Sequence, residues 1–392
     1  MSALPTIDEA LALVLAQVRW LPPEEVPVEE AGERILAEAA RATIDLPPFD
    51  SSAMDGFAVL AADTPGTLEV VGSSAAGRPA DRPLVPGRAI AISTGAVVPA
   101  GADAVVPVER TERHGDAVQV EDVSPGENVR PRGGDLRADG VVVEAGAAVG
   151  PAQLGALVAA GVVSVRCGRR PHVAVLATGT ELQRVGTPLA PGQIYESNTV
   201  MLAAQLRRAG AEPEVLETVA DDEAETRTAL ERGLAADVLV TSGGVSVGEH
   251  DLVRALLAEL GAVEVFWRVA VKPGKPVAFS TRGDTLVFGL PGNPVSSLVG
   301  FELFVRPALL ALQGAARPAP VFLPGRLAEP LPRNAARTEL VRARVEDGGV
   351  LRPVRGQESH MIGRAATATA LLLVPMGEGE LAAGADVSWL PL

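Results

Sequence analysis

Residues 237–297 read DVLVTSGGVSVGEHDLVRALLAELGAVEVFWRVAVKPGKPVAFSTRGDTLVFGLPGNPVSS. Three glycine-broken turns, TSGGVSVGEHD, KPGKP and LPGNPVSS, each adjoin a short apolar run of strand length, which is how α/β folds build ligand sites at strand ends. The alternation continues outward. Strands HVAVLAT, EVLETV, DVLVTS, VEVFWRVAV, PVAFS and TLVFGL interleave with helices expected over 198–209, 222–235, 251–260 and 295–312. The spacing predicts βαβ units and a mostly parallel sheet. Gly210 and Gly261 stand where helix-terminating glycines belong.

The flanks differ in pattern. Apolar spacing near 3.6 predicts helices over 7–19 and 29–40, separated by the Pro-rich turn LPPEEVPV, after which DLPPFDSSAMDGFAV reads as a linker. From about 44 to 135, short runs (LEVVG, AIAIS, AVVPVER, AVQVED) separated by Gly, Pro and Asp signal an all-β module. Pro151 opens a buried helix over 152–160 that Gly161 stops. After Gly314, ELVRARVED, ALLLVPM and DVSWL have barrel-like spacing. The expected fold class is α/β plus β, multidomain: a helical platform over 1–43 and 136–167 interrupted by a β module over 44–135, a three-layer α/β domain over 168–314, and a C-terminal β-barrel domain over 315–392.

Composition narrows the function. With 392 residues, 47% hydrophobic and 21% charged, the chain can bury several cores. A formal net charge of -15 gives no broad basic face for nucleic acid or an anionic membrane, and makes each Lys stand out. The single cysteine, Cys167, leaves no intrachain disulfide and no CxxC site, which suits a reducing cytoplasm. The acidic start MSALPTIDEALALVL lacks the basic region of a signal peptide. Residues 145–165 carry no charge, but glycines and Pro151 punctuate them, so no membrane span is read there.

The turns suggest anion chemistry. Ser242, Gly243 and Gly244 end a strand where bare backbone amides can approach an anion. Pro291-Gly292-Asn293-Pro294 opens a helix with Ser296 in its first turn, a second place for an oxyanion or for plain capping. Lys272 and Lys275 bracket a Pro-Gly turn and repel one another unless an anion or carboxylates sit between them. Loop acids Asp55, Asp135, Glu181, Asp221 and Asp251 are the kind of ligand a Mg²⁺-assisted phosphoryl reaction needs, although each taken alone reads first as a cap or surface charge. Gly244 to Gly248 match GxSxG, but TSGG intervenes between the strand and Ser246, so the spacing is wrong for a nucleophile elbow. Neither a P-loop nor a GxGxxG motif occurs, and no HExxH supports zinc.

Eight colinear motifs, SAMDGFAV (52–59), ISTGAVVPAGADAVVPVE (92–109), ENVRPRGGD (127–135), ATGTEL (177–182), GQIYESN (192–198), TSGGVSVGEHD (241–251), VKPGKP (271–276) and LPGNPVSS (290–297), resemble the molybdopterin molybdenumtransferases of the MoeA type, related to the gephyrin E domain. The resemblance implies a cytoplasmic homodimer of four-domain subunits that inserts molybdate into adenylylated molybdopterin, with Mg²⁺-dependent release of AMP and handover from a molybdopterin adenylyltransferase. It implies that Asp55, Thr94, Arg130 and Asp135 complete the partner subunit's site, and that Glu181, Asp221 and Asp251 serve the pterin nucleotide and Mg²⁺. Ser242, Gly243, Gly244 and Ser246 fall on the phosphate side. The resemblance further implies that Lys272, Lys275 and Ser296 hold molybdate, with Pro291 and Pro294 in the same binding turn and Arg342 and Ser359 as further oxyanion contacts. Thr180 departs from the usual Asp and leaves Glu181 the sole acid of its turn. A peptide-binding scaffold of gephyrin type and a serine hydrolase using Ser246 are the competing readings.

Overall fold

The computed structural model describes residues 4–220, 222–244 and 252–392. Its centre is a six-stranded mixed sheet in the order Glu212–Val215, His172–Ala177, Val238–Ser242, Thr285–Leu290, Ala278–Arg282, Val263–Trp267. The first four strands are mutually parallel, and Ala278–Arg282 runs antiparallel to both its neighbours. The central strands are near-continuous apolar runs, as in HVAVLA and TLVFGL, because both faces are covered. Helices Asn198–Arg208 and Pro294–Leu312 pack on one face, over Val173, Val175, Val238, Val240, Phe279 and Phe288. Helices Glu223–Gly233 and Leu252–Glu259 cover the other, over Leu176, Leu239 and Val287.

Helix Pro294–Leu312 passes a length-and-apolarity test for a membrane span, but 78% of that window is buried within the protein. It is therefore a core helix. Its middle, Phe301–Val305, is a π turn ahead of Pro307, whose missing N–H and bulky ring preclude a regular α-helical bond there.

The expected helix over 29–40 is absent. Pro23–Pro27 is a strand paired antiparallel with Ser164–Gly168, and Val28–Glu30 is a single 3-10 turn. Glu33 adopts φ 63, which no α-helix tolerates, so Val28, Ala31 and Leu36 instead feed a small core with Val165 and Cys167. The first helix is also shorter than expected, Ile7–Leu15, closed at its start by a capping box between Thr6 and Glu9. Its buried residues Ala10, Leu11 and Val14 belong to the α/β core. Pro151–Ala159 is a helix as expected but not a buried one, since Leu157 is its sole buried residue.

The segment read as a linker also folds. Gly56–Val59 lies between Ala104–Pro107 and Arg88–Ile92 in a six-stranded sheet that continues through Gly66–Ser74, Ala117–Val120 and Thr111–His114. A Cβ on Gly56 would lie 2.0 Å from the Val106 carbonyl oxygen, so only glycine permits this pairing. At the C-terminus, Thr338–Glu346, Val350–Pro353, Leu323–Leu327, Asp386–Pro391 and Ala370–Val374 pair in a closed ring, the barrel the spacing predicts. One further strand joins it from outside. Val271–Lys272 pairs parallel with Thr338–Glu339, because the run VFWRVAV breaks at Arg268, which has φ 73. The expected single strand is therefore two, and the KPGKP turn hangs from the barrel.

Candidate active site

The carboxyl ends of three adjacent parallel strands open onto a cleft of about 1280 Å³. Thr178, Gly179 and Glu181 follow the first strand, Ser242, Gly243 and Gly244 end the second, and Gly292, Asn293 and Pro294 follow the third. Such a crevice is where open α/β sheets bind ligands. Gly243 has φ 98, and a Cβ there would lie 2.8 Å from the Thr178 carbonyl oxygen; Gly244, with φ 65, would put one 2.4 Å from Val253 Cγ2. The double glycine is thus a backbone requirement, and it leaves the cleft wall without side chains. Ser242 is buried and accepts a hydrogen bond from Asn198 Nδ2 at 2.8 Å.

Glu181 is an exposed residue, and its carboxylate oxygens lie 2.7 and 2.9 Å from the Cβ position of Gly179, occupying space that a side chain would claim. A hard divalent cation takes such an oxygen and completes its shell with phosphate and water. The residues expected to share it, Asp221 and Asp251, lie outside the described residues, as does Ser246. Among the described residues, no three His, Cys, Asp or Glu side chains converge as a metal site. Asp222 caps helix Glu223–Gly233, its carboxylate accepting from the Glu225 amide at 2.9 Å.

The lysine turn stands behind the third loop. The Cβ position of Gly274 is 3.5 Å from the Ser296 carbonyl oxygen, so KPGKP packs on the start of helix Pro294–Gly300. Both lysines are exposed. Lys272 Nζ reaches Glu339 Oε1 at 3.1 Å, the carboxylate that relieves its repulsion from Lys275; Lys275 has no partner among the described residues. Ser296 is only 4% exposed and Pro291 is buried, and neither lines the cleft.

The barrel closes one side of the cleft through His360 and Ile362. Its loop is fixed to the α/β domain by a bond from the Val295 amide to the Ser359 carbonyl oxygen, 3.1 Å. Arg342 does not fit its expected part as an oxyanion contact. It is 1% exposed, and its guanidinium donates to the carbonyl oxygens of Met361 (2.7 Å), Gly356 (2.7 Å) and Glu358 (3.1 Å). Burial pushes its pKa below the usual arginine value. Its donors are consumed in bracing the loop that carries Ser359 and His360.

Asp55, Thr94, Arg130 and Asp135 are all exposed, and none lines this cleft. Their loops are joined to one another: Asp55 Oδ1 accepts from the Thr94 amide at 2.9 Å, Arg130 pairs with Ser51, and the Asp135 amide donates to Leu46. Asn198 and Tyr195 belong to the cleft but escaped assignment. Both stand in GQIYESN, where a polar residue at the first turn of a helix after a strand-like run was the available signal.

These features define a multidomain α/β protein with its site at a strand-end crevice and a barrel loop as one wall. Three family models match the chain in succession: the MoeA N-terminal region (domain I and II) over residues 5–161, a probable molybdopterin binding domain over 174–311, and the MoeA C-terminal region (domain IV) over 324–392. The chain is 37% identical to molybdopterin molybdenumtransferase 2 of Mycobacterium tuberculosis, over 97% of this chain and 98% of that one. It is 36% identical to the molybdopterin molybdenumtransferase of Bacillus subtilis, over 98% and 93%. The crystal structure of the molybdopterin biosynthesis MoeA protein from Pyrococcus horikoshii superposes with a TM-score of 0.86 at 29% identity, covering 99% of this chain and 100% of that one. The chain belongs to the MoeA family of molybdopterin molybdenumtransferases and is an enzyme of molybdenum cofactor biosynthesis.

Proposed function

We propose that this enzyme inserts molybdate into the dithiolene of adenylylated molybdopterin, with Mg²⁺-dependent cleavage of the adenylyl phosphoanhydride and release of AMP. The observation that carries the reading is the junction of two glycine loops, Ser242–Gly244 and Gly292–Pro294, in one cleft, with the lysine turn packed against Ser296. Backbone amides at the bare glycines orient the phosphates. Lys272 and Lys275 draw the oxyanion toward the dithiolene, and Glu181 offers a carboxylate oxygen to the cation. When bound, Mg²⁺ offsets the charge that develops on the phosphate oxygens. Positioning and charge compensation by fixed groups then supply most of the rate.

Asp55, Thr94, Arg130 and Asp135 lie outside the cleft of their own chain, which supports a homodimer in which they complete the partner subunit's site. The same reading places the enzyme in the cytoplasm, receiving its substrate from a molybdopterin adenylyltransferase. The test is reconstitution with adenylylated molybdopterin, molybdate and Mg²⁺, following AMP and active cofactor. Stoichiometric AMP release that a chelator abolishes is expected. Cofactor formation without AMP, or peptide binding with neither, would overturn the reading, the latter in favour of a scaffold.

A further inference from the structure

Asn198 is the one residue whose side chain ties the two glycine loops of the cleft together among the described residues. It opens helix Asn198–Arg208 and is 8% exposed. Its Nδ2 donates both to Ser242 Oγ at 2.8 Å and to the Gly292 carbonyl oxygen at 2.7 Å. The orientation of the amide is dictated, because a carbonyl oxygen only accepts and must face the NH₂ group. The amide oxygen is therefore turned away from both loops. Asn198 Oδ1 is buried without a hydrogen-bond partner among the described residues, on a residue that lines the cleft.

An unpaired buried carbonyl oxygen is costly to keep, whereas the Nδ2 clamp alone could be made by other donors. Oδ1 also has a definite selectivity. It repels phosphate and molybdate oxygens, so its complement is a neutral N–H or O–H donor. We propose that Asn198 is a substrate-positioning residue. Its Nδ2 sets the spacing of the Ser242 and Gly292 loops, and its Oδ1 accepts a hydrogen bond from an N–H or O–H group of the bound pterin nucleotide. The inference rests on the pterin-nucleotide reading of the cleft. The donor belongs either to the pterin amide and amino edge or to the nucleotide ribose.

The experiment is titration of the full-length wild type and Asn198→Ala with four probes: AMP, 2′-deoxy-AMP, 3′-deoxy-AMP, and molybdopterin released from a molybdoenzyme. Loss of one hydrogen bond to a buried acceptor is expected to weaken binding about tenfold. A ribose donor is indicated if wild type binds a deoxy analogue about tenfold more weakly than AMP and the variant does not distinguish them. A pterin donor is indicated if the variant weakens molybdopterin about tenfold and leaves AMP unchanged. A purely structural residue would instead lower the melting midpoint and leave every ligand equally bound, as would a folded variant with wild-type affinities; either overturns the proposal. Asn198→Ser, whose hydroxyl keeps a donor for the clamp, is read by the same criteria if the alanine variant unfolds. Failure of the wild type to bind both AMP and molybdopterin would indict the reading of the cleft instead.

Discussion

Lys272 Nζ lies 3.1 Å from Glu339 Oε1, and the same oxygen accepts from Asn334 Nδ2 at 3.0 Å, so a lysine of the α/β domain is held by the barrel strand Thr338–Glu346. An incoming oxyanion competes with Glu339 for this ammonium. The Lys272 side chain is 50% exposed, and such an ion pair contributes about 0.2–1 kcal/mol. Glu339→Gln should therefore tighten molybdate binding by roughly 1.4- to fivefold, most visibly at low salt. Lys272→Ala should abolish activity while the protein stays folded. The measurements are the molybdate KM of Glu339→Gln at two ionic strengths and the residual activity of Lys272→Ala; an unchanged KM together with near-normal activity of Lys272→Ala would remove Lys272 from the oxyanion site.

The bond between Asp55 Oδ1 and the Thr94 amide, 2.9 Å, fixes an acid on a surface that its own cleft does not use. If that surface completes a second subunit's site, Asp55→Ala and Lys272→Ala damage different halves of it. Equal mixing with free subunit exchange yields half heterodimers, each with one intact site. About a quarter of the wild-type rate should return. Rates for the mixture no higher than for either variant alone would mean that each site is built within one chain.

Much of this architecture was legible because periodicity reports burial. The α/β alternation, the barrel strands and the glycine turns all follow from apolar runs and from residues that only one backbone geometry accepts. What failed is equally physical. Val28, Ala31, Ile35 and Leu36 have helical spacing, but Glu33 sits at φ 63 and the chain forms a ladder with Ser164–Gly168 instead, a long-range pairing that local spacing does not encode. Gly56–Val59 looked like linker because its neighbours Val106 and Ala91 are distant in sequence. In the site, motif order brought out the loops that matter. It could not reveal that Arg342 spends its donors on main-chain carbonyls, or that Asn198 clamps two loops, because both facts depend on which carbonyls fold against them.

Asp45 introduces a pH dependence at the β module's return. Its carboxylate accepts from the Ala138 amide at 2.9 Å and from Arg132 Nε at 2.6 Å, and the amide bond foremost, with Arg132 next, holds its pKa below the ordinary carboxylate value. A depressed folded pKa means that the stabilisation is complete above the unfolded value, about 3.9, and is lost as pH falls through the lower folded value. Asp45→Asn should be less stable than wild type at neutral pH, with the difference shrinking in acid. Urea midpoints between pH 7 and the acid limit of folding check this. A gap that widens as pH falls would contradict it.

Arg342 offers the sharpest separation of structure from ligand contact. Arg342→Met keeps much of the side-chain volume but strips the carbonyl oxygens of Met361, Gly356 and Glu358 of a shared donor in a site 1% exposed. Unpaired buried acceptors cost about 1–3 kcal/mol each, and partial relaxation toward solvent recovers some of this, so a loss of about 3 kcal/mol is expected by urea denaturation. Arg342→Lys should lie between, since an ammonium cannot span the guanidinium's fork. The loop from Gly356 to Met361 also carries Ser359, whose carbonyl oxygen receives the Val295 amide, and His360 of the cleft wall. Loosening it should raise the KM for the pterin nucleotide more than that for molybdate, because the wall borders the cleft and not the lysine turn. If Arg342→Met keeps wild-type stability and raises only the molybdate KM, the arginine is an oxyanion ligand after all and the bracing role is wrong.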